Sequence, residues 1–274
     1  MLQALIDVVR AVQQDEYRFR FGRPAEEWCA ESADNDSPVH CEVREKTIPN
    51  VTELDVDTGG TGHIRVRPSR DGSTRIRARL RTHAETAEAA RELAGQVQLV
   101  VGPDAVRVRG PRSVDRRGWS TDVEIEAPPR VALMLKTRIG SVEVEDFIGA
   151  VRLETLNGGI HLVNVGGEIR GRTMNGFVRI RLGGSAWDGA GLDVVTSNGG
   201  VSVAVPEMYS AELEAETTHG NLHVDVPTNA DNSDLNRRRL LMKLGAGGAH
   251  LRVRTINGHV NISRASVLNS SDQR

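Results

Sequence analysis

The chain has 274 residues, a net charge of −2 and 3% aromatic residues. Near-balance of acids and bases argues against a general nucleic-acid binder, whose domains are usually strongly basic, and so few rings disfavour stacking platforms for bases or sugars. No apolar run reaches the ~18 residues of a membrane-spanning helix.

At the N-terminus, Leu2, Leu5, Ile6, Val9 and Val12 fall at helical spacing and predict a short amphipathic helix. Asp7 and Arg10 interrupt the apolar run and no basic start precedes it, so the segment does not read as a signal peptide. Residues 1–45 are expected to be this helix and a charged loop. From Val51 the pattern switches to period two, through Leu54, Val56, Ile64 and Val66. The arginines between 65 and 81 alternate with apolar residues, which predicts half-buried strands with their cations in solvent and not a nucleic-acid patch. Residues 82–94 read as one helix stopped at Gly95. Val97 to Val101 and Val106 to Val108, turned at Pro103-Asp104, read as a hairpin. Val123 and Ile125 lie on a strand ended by Pro128-Pro129. Residues 46–130 are thus expected to be a smaller β region with one helix, 131–265 a repeat domain, and 266–274 a disordered tail.

The repeat is Thr-x-Asn-Gly set between two short alternating stretches. Full copies centre on Asn157-Gly158, Asn175-Gly176, Asn198-Gly199 and Asn257-Gly258. Two weaker copies carry Ile139-Gly140 and His219-Gly220. The first three threonines, Thr137, Thr155 and Thr173, are 18 residues apart. Such a period marks a stacked array in which no unit buries its own apolar face. Val151, Leu153, Thr155, Ile160 and Leu162 should point inward, with Arg152, Glu154 and His161 outward. Two architectures fit. In a two-sheet β-solenoid the Asn-Gly step is a corner and like strands stack in parallel; in an antiparallel sandwich of repeated hairpins it is a tight turn. The solenoid is favoured because like positions stay alike from copy to copy. Inward threonines and corner asparagines should then form two ladders, the asparagines satisfying corner backbone groups. The asparagines and glycines are read as structural corners, with positive φ favouring glycine. Insertions fall at Gly183 to Gly191, around Trp187, and at Pro227 to Gly248, with an extra strand near Leu240 to Leu244.

The two cysteines, Cys29 and Cys41, share one short irregular stretch and are expected to form a local disulfide. A zinc site would want four ligands, and only His40 is near. His219, His223, His250 and His259 could approach one another in a stack, but they read as corner and surface residues. Glu143, Glu154, Asp193, Glu214 and Glu216 should face outward. A glycosidase would need two such carboxylates opposed across a groove, for instance Asp193 above Glu214, and no flanking aromatic would grip a sugar. No phosphate loop, nucleophile elbow or calcium-binding repeat occurs. No catalytic residue, metal or cofactor is therefore expected. The arginine run 237–239 reads as a loop charge cluster.

Several ordered features resemble the DUF4097 family of bacterial β-strand-repeat proteins, also described as adhesins: Cys41-Glu42-Val43-Arg44-Glu45, Leu54-Asp55-Val56-Asp57 leading into Gly59-Gly60, Trp119 before Val123-Glu124-Ile125, and the Thr-x-Asn-Gly series through Ile262. The likeness covers roughly Cys41 to Arg264. It implies an exported, non-enzymatic envelope protein presenting a sheet to a protein or surface partner, although no export signal is read in the chain. The remaining alternatives are a self-assembling solenoid scaffold, a homo-oligomer stacked end to end, and a carbohydrate-active enzyme on a β-helix.

Overall fold

The structure is a computed structural model that describes residues 21–30, 38–114, 116–226 and 238–265. The helix expected at the N-terminus, the tail 266–274 and Arg237 lie outside the described residues.

Among the described residues two helices and twenty strands follow in chain order: α1 (Ala25–Ala30), β1 (Val39–Ile48), β2 (Glu53–Asp57), β3 (Ile64–Pro68), β4 (Thr74–His83), α2 (Ala87–Gln96), β5 (Gln98–Val101), β6 (Ala105–Arg109) and β7 (Gly118–Ala127). The repeat contributes β8 (Ala132–Ile139), β9 (Val142–Glu145), β10 (Ile148–Asn157), β11 (Ile160–Val163), β12 (Gly166–Asn175), β13 (Val178–Arg181), β14 (Gly191–Asn198) and β15 (Val201–Val205). The chain continues through β16 (Ala211–His219), β17 (Leu222–Asp225), β18 (Arg239–Leu244), β19 (His250–Asn257) and β20 (Val260–Arg264). They form two ten-stranded sheets. Sheet I runs β1-β4-β7-β3-β9-β11-β13-β15-β20-β17, and sheet II runs β18-β16-β19-β14-β12-β10-β8-β2-β6-β5.

Each repeat crosses sheet II, turns at its Asn-Gly corner and returns in sheet I. Equivalent strands pair in parallel and in strict register: Val151 with Ile169, Thr155 with Thr173, and Asn157 with Asn175. The solenoid arrangement therefore holds, and the hairpin alternative fails because the two strands of a unit lie in different sheets. The period-two pattern decides what is buried. Val151, Leu153, Ile160 and Leu162 are all inside, while Arg152 is exposed and Glu154 and His161 are half-buried. Burying one Leu or Val of this kind is worth about 1.5–3 kcal/mol, and the copies stack into one continuous core.

The N-terminal β region joins the same two sheets. β2 pairs with β8 and β3 with β9, so no break in pairing falls at residue 130. β1 already begins at Val39, inside the stretch read as loop. It is an edge strand paired antiparallel to β4, and its half-exposed residues give no apolar alternation to read. The helix read at 82–94 starts later, at Ala87. Thr82 stays in β4, fully buried and opposite Trp119, and its hydroxyl donates to the Ala90 carbonyl at 2.6 Å. The helix begins only after Thr86, whose hydroxyl accepts from the Ala89 N–H at 3.1 Å. Gly95 sits in its last turn, and Val97 closes the helix through a bond to the Ala94 carbonyl.

Within the repeat, spatial order departs from chain order once. The β19–β20 coil lies between the β14–β15 coil and the β16–β17 coil. β18 then pairs antiparallel with β16 at the edge of sheet II. This places His219 beside Asn257.

Candidate interaction surface

The corners are built from two side-chain ladders. Every repeat threonine is buried, and each donates its hydroxyl to the corner glycine carbonyl of an adjacent coil. Thr155 reaches Gly140 at 2.9 Å, Thr173 reaches Gly158 at 2.8 Å, Thr196 reaches Gly176 at 2.9 Å and Thr255 reaches Gly199 at 2.8 Å. The asparagines bond one another. Asn175 donates its amide to Asn157 at 2.7 Å, Asn198 to Asn175 at 2.8 Å and Asn257 to Asn198 at 2.8 Å. The threonines, and not the asparagines, thus satisfy the corner carbonyls. The amide oxygens of Asn157, Asn175 and Asn198 are occupied within the ladder, which leaves them poor grips for a cation or sugar.

Positive φ is not what selects glycine at Gly158, Gly176 and Gly258, since only Gly140 (φ 141) and Gly199 (φ 151) among the corners adopt it. Close approach is the reason. A Cβ built on Gly176 would fall onto the Gly158 carbonyl oxygen, and Gly158 and Gly258 meet the coil below them in the same way. Left-handed backbone belongs to the opposite corners, at Asp146 (φ 51) and Asn164 (φ 50). There Asn164 donates its amide to Asp146 at 2.7 Å.

The outward face of sheet II carries rows of alternating charge. Asp193 and Glu214 are not stacked neighbours, because β19 places Arg252 between them. Glu214 is buried beneath Arg239, Arg252 and His250, at 3.1, 3.2 and 3.3 Å. Asp193 is held by Arg254 at 2.8 Å, and Glu154 by Arg172 at 2.7 Å. Asp193 and Glu214 are both tied to guanidinium, which leaves neither placed as a general acid. His259 accepts the Asn221 N–H through Nδ1 at 3.1 Å, and His63 takes the Ser141 N–H through Nδ1 at 3.0 Å in the same way.

Beside the corners the charged rows give way to an apolar shelf. The variable residue of Thr-x-Asn-Gly points outward, and in register these positions are Arg138, Leu156, Met174, Ser197 and Ile256. Met174 is 50% exposed, Ile256 43% and Ile139 46%. Phe177, 60% exposed, follows the Asn175-Gly176 corner, and its ring lies over Gly200, where a side chain would collide with it. A shallow hollow of about 660 Å³ opens here, with Leu156 and Met174 in its floor and Asp57, Lys136, Glu154 and Arg172 around it. These residues were not singled out from the sequence. The signal was there, as apolar residues in outward slots that elsewhere carry charge.

The outward face of sheet I is partly covered near its N-terminal edge. The sulfur atoms of Cys29 and Cys41 are bonded, with Cα atoms 5.7 Å apart, and tie α1 to β1. Trp28 is buried against the guanidinium groups of Arg77 and Arg79, whose carbons lie 5.3 and 5.2 Å from its ring. Beyond it Asp122, Glu124 and Glu143 are buried although strand parity points them outward. Burial opposes ionisation of Asp122, but the His63 N–H and Arg79 hold its pKa below the ordinary value. Glu143 has Arg65 at 3.8 Å, yet burial and the neighbouring Glu145 push it up to about 8. Burial, with Arg179 nearby, pushes His161 down to about 4.

Two ten-stranded sheets joined by Thr-x-Asn-Gly corners are the setting in which residues 120–263 match the Toastrack DUF4097 family model. The chain belongs to this family. The family match takes in β8 to β19 entirely and most of β7 and β20, so it covers the whole Asn-Gly ladder and the apolar shelf, while Asp57, Gly59 and Gly60 beside the hollow lie outside it. Among solved structures, a provisionally named cell adhesion protein from Clostridium sporogenes is 12% identical, covers 82% of this chain and 100% of its own, and superposes with a TM-score of 0.43. A provisionally named adhesin from Bacteroides fragilis is 12% identical over 81% of this chain and 97% of its own, with a TM-score of 0.35. A provisionally named lipid-binding protein from Parabacteroides distasonis is 10% identical over 82% and 95%, with a TM-score of 0.28. At these scores none carries an argument about function. No curated protein matches the chain.

Proposed function

We propose that this chain is a non-enzymatic β-repeat protein of the bacterial envelope or cell exterior, and that it binds a protein or surface partner through the corner edge of sheet II. The apolar shelf of Leu156, Met174, Phe177 and Ile256 carries the reading. Exposed apolar surface rimmed by charge is characteristic of interaction sites; here Leu156 and Met174 lie side by side, Ser197 separates them from Ile256, and the rim around Leu156 and Met174 offers both signs through Lys136, Arg172, Glu154 and Asp57. Pairing of Asp193 and Glu214 to arginines supports a non-catalytic surface. The bonded cysteines fit an oxidising compartment. Among the described residues no helix is long and apolar enough to cross a membrane.

The test is binding of the purified chain to intact bacterial cells and isolated envelope, compared with a Met174→Asp/Ile256→Asp variant. Both side chains are exposed, so the variant should fold normally and lose most of its binding. Undiminished binding would refute the shelf as the site. Release of reducing ends from envelope polysaccharides would refute the non-enzymatic reading.

A further inference from the structure

The two ends of the sandwich differ. At the N-terminal end α2 packs over the core, where Leu80, Ala94, Val97 and Val108 form a separate buried cluster. Arg44 fixes the helix C-terminus through the Val97 and Ala94 carbonyls at 2.5 and 3.0 Å. At the other end the sheets finish in β17 and β18, each bonded to a described strand on one side alone. β18 closes sheet II with Arg239 and Lys243 on its outward face, the placement of cations that discourages edge pairing. β17 closes sheet I without such a guard.

β17 bonds β20 on one side and no described strand on the other. The Val260 N–H donates to the Asn221 carbonyl, so residues 221, 223 and 225 turn their backbone polar groups toward β20. By strand alternation Leu222, Val224 and Val226 turn theirs to the open edge. Their side chains are half-buried against the end of the core. His223 and Asp225 stand exposed on the other face, next to the uncharged Asn261 and Ser263. Neither forms an ion pair with a described residue.

We infer that β17 is the interface of a two-fold dimer, in which it pairs antiparallel with the same strand of a second copy, centred on Val224. One register satisfies every group at once. Val224 faces the second copy's Val224, and Leu222 faces its Val226, which extends the apolar layer across the junction. These pairs use the backbone groups already turned outward and are therefore the hydrogen-bonded pairs. The intervening pair is the non-bonded kind, in which opposed side chains come closest. That pair is His223 against the second copy's Asp225, and the symmetry makes it twice. A surface whose own register brings imidazole onto carboxylate at both ends is self-complementary, as an isologous interface requires. Because the two-fold pairing uses the β17 edge of both copies, it closes on itself, so the product is a dimer with sheet I continuous through both copies and not a filament.

Sedimentation velocity on the full chain from about 1 to 500 µM tests this across the usual range of weak to moderate association. Monomer and dimer should be the only species. His223→Lys, which sets a stronger cation against Asp225, should tighten the dimer. Asp225→Lys, which removes the carboxylate facing His223 at both ends of the interface, should weaken it by about tenfold or more. Val224→Cys should cross-link spontaneously into a dimer on non-reducing gels, because a central bonded pair brings Cα atoms to about 5.5 Å. Leu241→Cys, exposed on β18, should not. A monomer at every concentration overturns the inference, as do open-ended polymers, a dimer indifferent to both charge variants, or cross-linking at Leu241→Cys in preference to Val224→Cys.

Discussion

Replacing Thr173 by valine isolates one rung of the hydroxyl ladder. The two side chains have nearly the same shape, so the buried volume is kept. What disappears is the donor 2.8 Å from the Gly158 carbonyl. That carbonyl receives no other hydrogen bond from a described residue, because the backbone ladder at the corner uses the Asn175 and Phe177 carbonyls instead. An acceptor left without a donor costs about 1–3 kcal/mol when buried; this one is part-buried, and the added methyl returns up to about 0.8 kcal/mol through burial. The net expectation is a loss of about 1–2 kcal/mol. For a domain of this size, each kcal/mol moves the melting temperature by about 2–4 °C, so Thr173→Val should melt roughly 2–8 °C lower. Thr173→Ser, which keeps the hydroxyl, should recover the hydrogen-bond part of the loss. Thr196→Val should behave alike, and because Thr173 and Thr196 are paired neighbours in register, the double variant reads the coupling between adjacent rungs. Calorimetry of the single and double variants decides. A valine variant as stable as the wild type would refute the claim that the hydroxyls carry the corners.

Gly176→Val should be far worse than any threonine change, because its Cβ would coincide with the Gly158 carbonyl and the coils would have to part; urea unfolding should show a loss above ~3 kcal/mol or no folded protein, and a mild effect would refute close packing. Cys41→Ser should release α1 from β1 and cost about 2–4 kcal/mol locally, seen as a red shift of Trp28 emission while the repeat melts unchanged; two titratable thiols in the denatured, unreduced wild type would refute the bond. Folded Glu143 keeps its proton up to about pH 8, whereas the unfolded carboxyl releases it near 4.5. Its stabilising contribution is therefore full below that lower value and is lost as pH rises toward 8. His161, depressed to about 4 from 6.5, works oppositely, with stability present above 6.5 and lost as pH falls through 4. Glu143→Gln should flatten the loss of stability between about pH 4.5 and 8 in urea titrations, and an unchanged slope across that window would refute the assignment.

The repeat was legible because parity and register are local properties. Leu153, Thr155 and Asn157 recur in one frame, and a parallel stack is the arrangement that places like residues on like. Strand order was not legible. The copies at Leu213 to Val224 and Leu251 to Ile262 have the same inward pattern, so nothing local says which lies nearer β14. Their corners do differ, and the observed order keeps Asn157, Asn175, Asn198 and Asn257 contiguous, with Ile139 and His219 at the two ends. Sequence parity rightly turned Glu143 and Glu214 outward, but outward is not exposed. Arg239 and Arg252, distant in the chain, reach over Glu214. The shelf escaped notice for a related reason. Leu156, Met174 and Ile256 are unremarkable singly and become a surface only when stacking brings their coils together. Helix α2 was placed too early because alanine and glutamate propensities extend back past Thr86, and only the pairing of Thr82 with Trp119 holds that stretch in β4.

The exchanged order of the last two coils also bears on how the chain reaches its native state. A plain solenoid can grow by templating, each new coil docking on the one made just before it. Here that rule works through β15 and then fails. The edge of β14 belongs to β19, which is synthesised after β16, β17 and β18. The β16–β17 coil reaches the growing stack first, with its own inward threonine and apolar pattern, and can occupy the wrong berth. Waiting for β19 makes the closing contacts long in sequence and slow to form, and premature docking gives a trap that must unlatch before the native order can be reached. In the trapped order the His219 imidazole would sit between Asn198 and Asn257 and break the chain of amides. Corner chemistry thus acts as proofreading, in that it penalises the neighbour that arrives early and rewards the one that arrives last.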